Sequence, residues 1–172
     1  MIGDNIWMKE ALLEANKGRI MGEVPVGVVV VRDGRIIARA CNQPVSLCNP
    51  VAHAEILALQ LAAAAIGNYR LLGCDLYVTL EPCTMCAGAI VHSRIRRLIY
   101  GAAEPKAGAV VSAARIFEQS YMNHQVKVTG GVLQAECGEM IRDFFRFRRQ
   151  MIREERRKQR LLLVNSPSQI KQ

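Results

Sequence analysis

Four side chains in this sequence are of types that hold metal ions or move protons. "TLEPCTMCAGAI" carries Cys83 and Cys86 three residues apart, and "VAHAEIL" carries His53 two residues before Glu55. Residues three apart on a helix share a face, so Cys83 and Cys86 can bite one ion. Read alone, the CxxC is a redox pair, half of a structural zinc knot, or two ligands of a catalytic metal. A redox pair predicts no particular need for histidine or glutamate elsewhere. A structural knot needs four protein ligands, and the chain has no second CxxC. With His53 as third ligand, two thiolates and one imidazole suit Zn²⁺ and leave one tetrahedral position for water. Zinc brings the pKa of such a water down to roughly 7. Glu55 is not needed as a ligand, and its carboxylate can take the water proton and hand it to a leaving group.

The surrounding pattern says which elements hold these residues. Asp4 or Asn5 can cap a first helix ended by Gly18, with Trp7 or Met8, Ala11 or Leu12, and Ala15 on its apolar face. "EVPVGVVVVRDGRIIARACN" reads as a hairpin with Asp33-Gly34 at the turn and a second strand over Arg35–Ala40. Four consecutive valines, Val28–Val31, imply a strand covered on both faces. A helix capped at Asn49, with Pro50 in its first turn, runs to about Ile66 and stops at Gly67. A short strand, Asp75–Leu80, leads into a helix beginning near Pro82. "RRLIYGA" is another strand, Ala103–Ser112 a small-residue loop, and "HQVKVTGG" a last strand. From Ala135 a long helix becomes increasingly basic. This order predicts parallel pairing among the later strands and a three-layer α/β/α domain. Both site helices then start at strand carboxyl ends or adjoining loops, where open α/β sheets bind ligands, and a helix start favours thiolate.

The composition, 51% hydrophobic and 22% charged, is that of an ordinary soluble globular protein. One domain over residues 1–160 is expected, with 161–172 as a flexible tail. Met1–Glu10 does not read as an export signal, and Ile56–Ile66, broken by Gln60, is too short to span a bilayer. A cytoplasmic protein without membrane attachment is therefore expected. Cys41, Cys74 and Cys137 sit among apolar neighbours and read as small core residues. Cys48, in a polar loop, carries no assignment. The net charge of +8 is uneven: Arg142–Arg160 holds nine basic against three acidic residues. Such a stripe suits a phosphate-rich partner or a solvated helix face.

"HAE" followed by "PCxxC" resembles the signature of the zinc-dependent nucleobase deaminases. The similarity is greatest to the bacterial tRNA-specific adenosine deaminases. It covers Trp7 to about Gln150 through "GEVPVG", "AHAEI", "NYRL", "LYVTLEPCTMCAGAIVHSRI", "YGA" with "PK" and "G", "MNH", and "DFFRFRRQ". It implies a cytidine deaminase-like α/β/α fold around a mixed five-stranded sheet. It also implies one Zn²⁺ per subunit on His53, Cys83 and Cys86, and Glu55 as proton shuttle. The implied reaction makes inosine at the wobble position of a tRNA anticodon, that of an arginine tRNA, in a homodimer.

On the same resemblance, Asn42 hydrogen-bonds the flipped base and Val24 forms an apolar pocket wall. Phe144 and Phe145, beside Arg148 and Arg149, suit stacking on unpaired bases and holding phosphates. Adjacent helix residues do not face the same way, so one phenylalanine is expected inside and one toward RNA. Lys106 is expected to contact phosphate or ribose. Glu104 stands where the family usually has Asp and can still reach a ribose hydroxyl with one more methylene. Asn49 likewise replaces a usual Asp, and either residue can cap. His92 and His124 are not assigned to metal. Two other readings remain: a deaminase of a free base or nucleoside such as guanine, cytosine or cytidine, which has no use for a basic aromatic helix, and a noncatalytic zinc module that binds RNA, which needs a fourth protein ligand.

Overall fold

A computed structural model describes residues 3–164, with side chains to residue 161. Helix α1 spans Asp4–Ile20 and buries Met8, Ala11, Ala15 and Gly18. Gly3, rather than Asp4 or Asn5, occupies its N-cap. Asp4 instead accepts hydrogen bonds from Tyr77 Oη at 2.8 Å and the Arg97 guanidinium at 2.9 Å. Gly18 does not end the helix. A Cβ there would lie 3.2 Å from Cys41 Cβ, so the glycine permits close packing inside a helix that runs on to Ile20.

Strands β1 (Gly27–Arg32) and β2 (Arg35–Cys41) form the expected hairpin. Asp33 and Gly34 both have positive φ, 50° and 71°, the type I′ geometry that matches strand twist. Strands β3 (Asp75–Leu80), β4 (Arg97–Ala102) and β5 (Lys127–Thr129) complete one sheet in the order β2-β1-β3-β4-β5. β1 runs antiparallel to both neighbours, whereas β3, β4 and β5 are parallel. The sheet is thus mixed and five-stranded.

The valine run is covered on both faces. Val28 and Val30 join Leu76, Val78 and Leu98 against α2 (Ala54–Ile66) and α3 (Thr84–His92). Val29 and Val31 join Tyr77 and Ile99 against Met8 and Ala11 of α1 and Cys137 of α4 (Gln134–Val164). Each fully buried valine contributes about 1.5 kcal/mol or more. Cys41, Cys74 and Cys137 are buried free thiols, and Cys48 is exposed.

The start of α2 differs from the sequence expectation. Asn49 Oδ1 accepts from Val51 N at 3.1 Å, and Ala52 N donates to Asn49 O at 3.1 Å, closing a local turn. The helix therefore begins at Ala54, with His53 as an extended N-cap and Gly67 (φ 71°) at the C-cap. Asparagine's local bonding competes with helix entry. Similarly α3 starts at Thr84, with Cys83 as N-cap, two residues past Pro82. Helix α4 is described as far as Val164, four residues beyond the expected boundary at 160. Residues 165–172 of the expected tail lie outside the described residues. No helix among the described residues is long and apolar enough to cross a membrane.

Candidate functional site

The two helix starts on one side of the sheet converge. His53 Nδ1 lies 3.7 Å from Cys83 Sγ and 3.6 Å from Cys86 Sγ. These are the only three metal-type donors among the described residues whose ligand atoms all lie within 4.8 Å of one another. Zn–S and Zn–N bonds of ordinary length at a tetrahedral angle place sulfur and nitrogen roughly 3.6 Å apart. The donor set and spacing therefore fit zinc with a fourth position left for a non-protein ligand.

Electrostatics agree with that fit. A hydrogen bond from Cys86, outweighing burial, pulls the Cys83 thiol down to about 5, and N–H groups of the α3 first turn assist. The same pairing, with burial, pushes Cys86 up. A divalent cation would hold both as thiolates. Glu55, in the first turn of α2, is buried beside the ligands, and loss of hydration raises its carboxyl to about 7. A group poised near neutrality can both accept and return a proton.

A cleft of about 310 Å³ opens over these residues. Val24, Val26, Pro44 and Leu80 make its apolar wall, and Asn42 and Glu104 bring polar atoms to it. Asn42 Oδ1 already accepts from Ala54 N at 2.8 Å, so the amide N–H groups are what it chiefly offers a ligand. Asn42 thereby also satisfies a free N–H at the α2 start.

Two buried carboxylates beside the cleft escaped the sequence reading. Glu81 accepts from the backbone N of Glu104, Val110, Val111 and Ser112 at 2.8–3.1 Å, and from the Ser112 hydroxyl. It gathers the 104–112 loop over the cleft. Gly108 makes this possible, because a Cβ there would sit 2.5 Å from the Glu81 carboxylate. Glu23 accepts from Ser46 N and Oγ, both at 2.7 Å, and ties down the loop on the other rim. Burial acts to raise both carboxyls, but the hydrogen bonds outweigh it and hold them below the usual range. Each is a lone charge embedded among apolar residues in "GEVPV" and "TLEPC". That placement was the available signal, since a buried carboxylate must be answered by donors.

The other expected contacts divide. Glu104 lines the cleft, and its carboxylate accepts from Lys106 N at 3.0 Å. Lys106 is exposed and is not brought into the cleft. Phe144 is buried, while Phe145 is 37% exposed, their rings edge-to-face at 5.4 Å. Arg148 and Arg149 are exposed on α4. His124 is spent on Ile95 O at 2.7 Å, and His92 lines a separate groove.

A mixed sheet flanked by helices, with a His-Cys-Cys centre at two helix starts and a buried glutamate beside it, defines a zinc hydrolase of the nucleobase-deaminase kind. Residues 1–102 match the model of the cytidine and deoxycytidylate deaminase zinc-binding region, and the chain belongs to that family. Within it, the chain is 51% identical to the tRNA-specific adenosine deaminase of Haemophilus influenzae over 148 residues, 86% of each chain. A solved structure from a study of A-to-I editing by tRNA:A34 deaminases at the wobble position is 50% identical. It superposes with a TM-score of 0.77, covering 78% of this chain and 98% of that one. The guanine deaminase of Nitrosomonas europaea is more distant, 26% identical with a TM-score of 0.70 over 84% of this chain and 85% of its own.

Proposed function

We propose that this protein hydrolyses adenosine to inosine and ammonia in tRNA, at the wobble position of an anticodon, with an arginine tRNA as substrate. The observation that carries the reading is the convergence of His53, Cys83, Cys86 and Glu55 under a small cleft, in a chain half identical to tRNA-specific adenosine deaminases. Zinc, when bound by His53, Cys83 and Cys86, supplies an acidified water at neutral pH.

The protein's own groups do the rest. Glu55 takes a proton from the attacking water and returns it to the departing amine. Val24, Val26, Pro44 and Leu80 hold the flat faces of the base and exclude bulk water. The Asn42 N–H groups donate to acceptor atoms on the purine edge. Glu104 accepts from the ribose 2′-hydroxyl. A base must leave its stack to enter such a cleft, at a cost of a few kcal/mol, which an anticodon loop lowers by presenting it partly splayed. Phe145 stacks on a neighbouring unpaired base, while Arg148 and Arg149 bind phosphates.

An apolar groove between α2 and α3, lined by Ile56, Leu59, Ala63, Tyr69 and Ala89, supports homodimerisation through these helices. A cytoplasmic location follows from the tRNA substrate.

The test is incubation of the zinc-loaded protein with an arginine anticodon stem-loop bearing wobble adenosine, and separately with free guanine, cytosine, adenosine and cytidine. Inosine formed in the stem-loop supports the reading. Turnover of the free compounds without the stem-loop would overturn it in favour of a base or nucleoside deaminase.

A further inference from the structure

Helix α4 changes character along its length. Its first half packs on the sheet through Cys137 and buries Phe144, whereas from Phe145 to Leu161 every side chain is exposed. In that overhang Arg149, Arg153, Arg156, Arg157 and Arg160 recur at three-, four- and one-residue steps. At 3.6 residues per turn they fall on one stripe about 16 Å long. Glu154 and Glu155 lie off the stripe, and Glu154 is engaged with Gln150 at 2.9 Å. No carboxylate among the described residues pairs with any of the five arginines.

Like charges three and four apart destabilise an isolated helix. A chain that lines up arginines on a projecting helix, with no acidic partner of its own, has built a surface for an external line of anions. Arginine's planar fork also takes phosphate oxygens two at a time.

We propose that the Arg153–Arg160 face is a docking rail for the phosphates of the duplex stem of the substrate RNA, distinct from the loop contacts nearer the cleft. This rests on the tRNA reading above. On that reading the loop meets the cleft together with Phe145, Arg148 and Arg149, and the exposed turns of α4 that follow reach the stem. The stem carries phosphates on both strands and has no exposed base faces, which suits guanidinium groups without interleaved aromatics. The rail positions the RNA and carries no sequence information.

The test uses the full chain with Arg153, Arg156, Arg157 and Arg160 all changed to Gln, and a second variant with all four changed to Lys. Binding of an anticodon stem-loop and of the single-stranded loop sequence alone is measured from low to moderate salt. The expected Gln result is weaker stem-loop binding, with the slope of log affinity against log salt reduced by about 3, loop binding unchanged, and the slope kept in the Lys variant. An unchanged stem-loop slope in the Gln variant, or equal loss for loop and stem-loop, would overturn the proposal. A wild-type protein that deaminates the stem-loop while the Gln variant keeps its slope refutes the rail alone. Failure of the wild type to deaminate the stem-loop refutes the function.

Discussion

The cleft and the overhanging half of α4 solve opposite problems. At the cleft, the site residues sit on helix starts and loops tied to the rest of the fold. His53 and Cys83 are N-caps of separate helices, Asn42 bonds the start of α2, and Glu81 and Glu23 pin the two loop rims. Along the overhang, Arg149, Arg153, Arg156, Arg157 and Arg160 are exposed and paired with no carboxylate among the described residues. Chemistry that depends on an ångström is placed on braced elements. Binding that depends on summed charge needs only a surface of the right sign and length.

If the contrast is sound, the largest effect comes from a proton carrier at the cleft. Glu55→Ala should lower the single-turnover rate of inosine formation about 10²- to 10⁴-fold while zinc content, measured by elemental analysis, stays at one per chain. Loss of zinc together with activity would make Glu55 structural and blur the division. Next come the adjacent phenylalanines, which straddle the two regimes. Phe144→Ala should cost about 3–5 kcal/mol of stability in denaturant titration, because it empties a packed site. Phe145→Ala should leave the denaturation midpoint nearly unchanged and raise KM for the stem-loop about tenfold, the loss of one stacking contact. A reversal of these two outcomes would mean that the buried ring, not the exposed one, meets RNA.

A smaller effect sharpens the bracing itself. Glu23 has its pKa held below the carboxylate value of 4.5 in the folded protein. A group depressed in this way adds stability above its unfolded pKa and gives it up as pH falls through the folded value. The wild type should therefore lose more stability than Glu23→Gln on going from about pH 5 to about pH 3, as read by thermal unfolding. Equal losses would show that Ser46 does not anchor the loop through this carboxylate. Smallest of all, Arg149→Gln should lower the salt slope of RNA binding by about 0.7–0.9, with kcat unaltered.

Much of the scaffold could be read from local pattern. Asp33-Gly34 demanded a hairpin, and Val28–Val31 demanded a sheet with two covered faces. Gly67 ended α2 where a left-handed residue was needed. The turn at Asn49 and the continuation of α1 past Gly18 could not be read this way. At Asn49 a local side-chain bond to Val51 N took the place of helix entry, and at Gly18 the glycine sits inside the helix to allow close approach of Cys41. Glu81 illustrates the harder failure. Its donors lie 23 to 31 residues away in a loop of small residues that shows no preference of its own. Lys106 is the converse, a basic residue near the cleft whose loop is turned so that it faces solvent.

The chain's residue types and short spacings determined the candidate donor set and the excess of arginine at the carboxyl end. These are properties of residue type and of neighbours a few positions apart, which need no tertiary contact. Tertiary structure decided that His53 meets two cysteines 30 and 33 residues away, that Asn42 spends its carbonyl on α2, and that Phe144 rather than Phe145 is covered. Those outcomes depend on strand order and on which helix face the sheet buries. Both are set by packing the whole core at once, a cooperative choice that no single stretch of sequence contains.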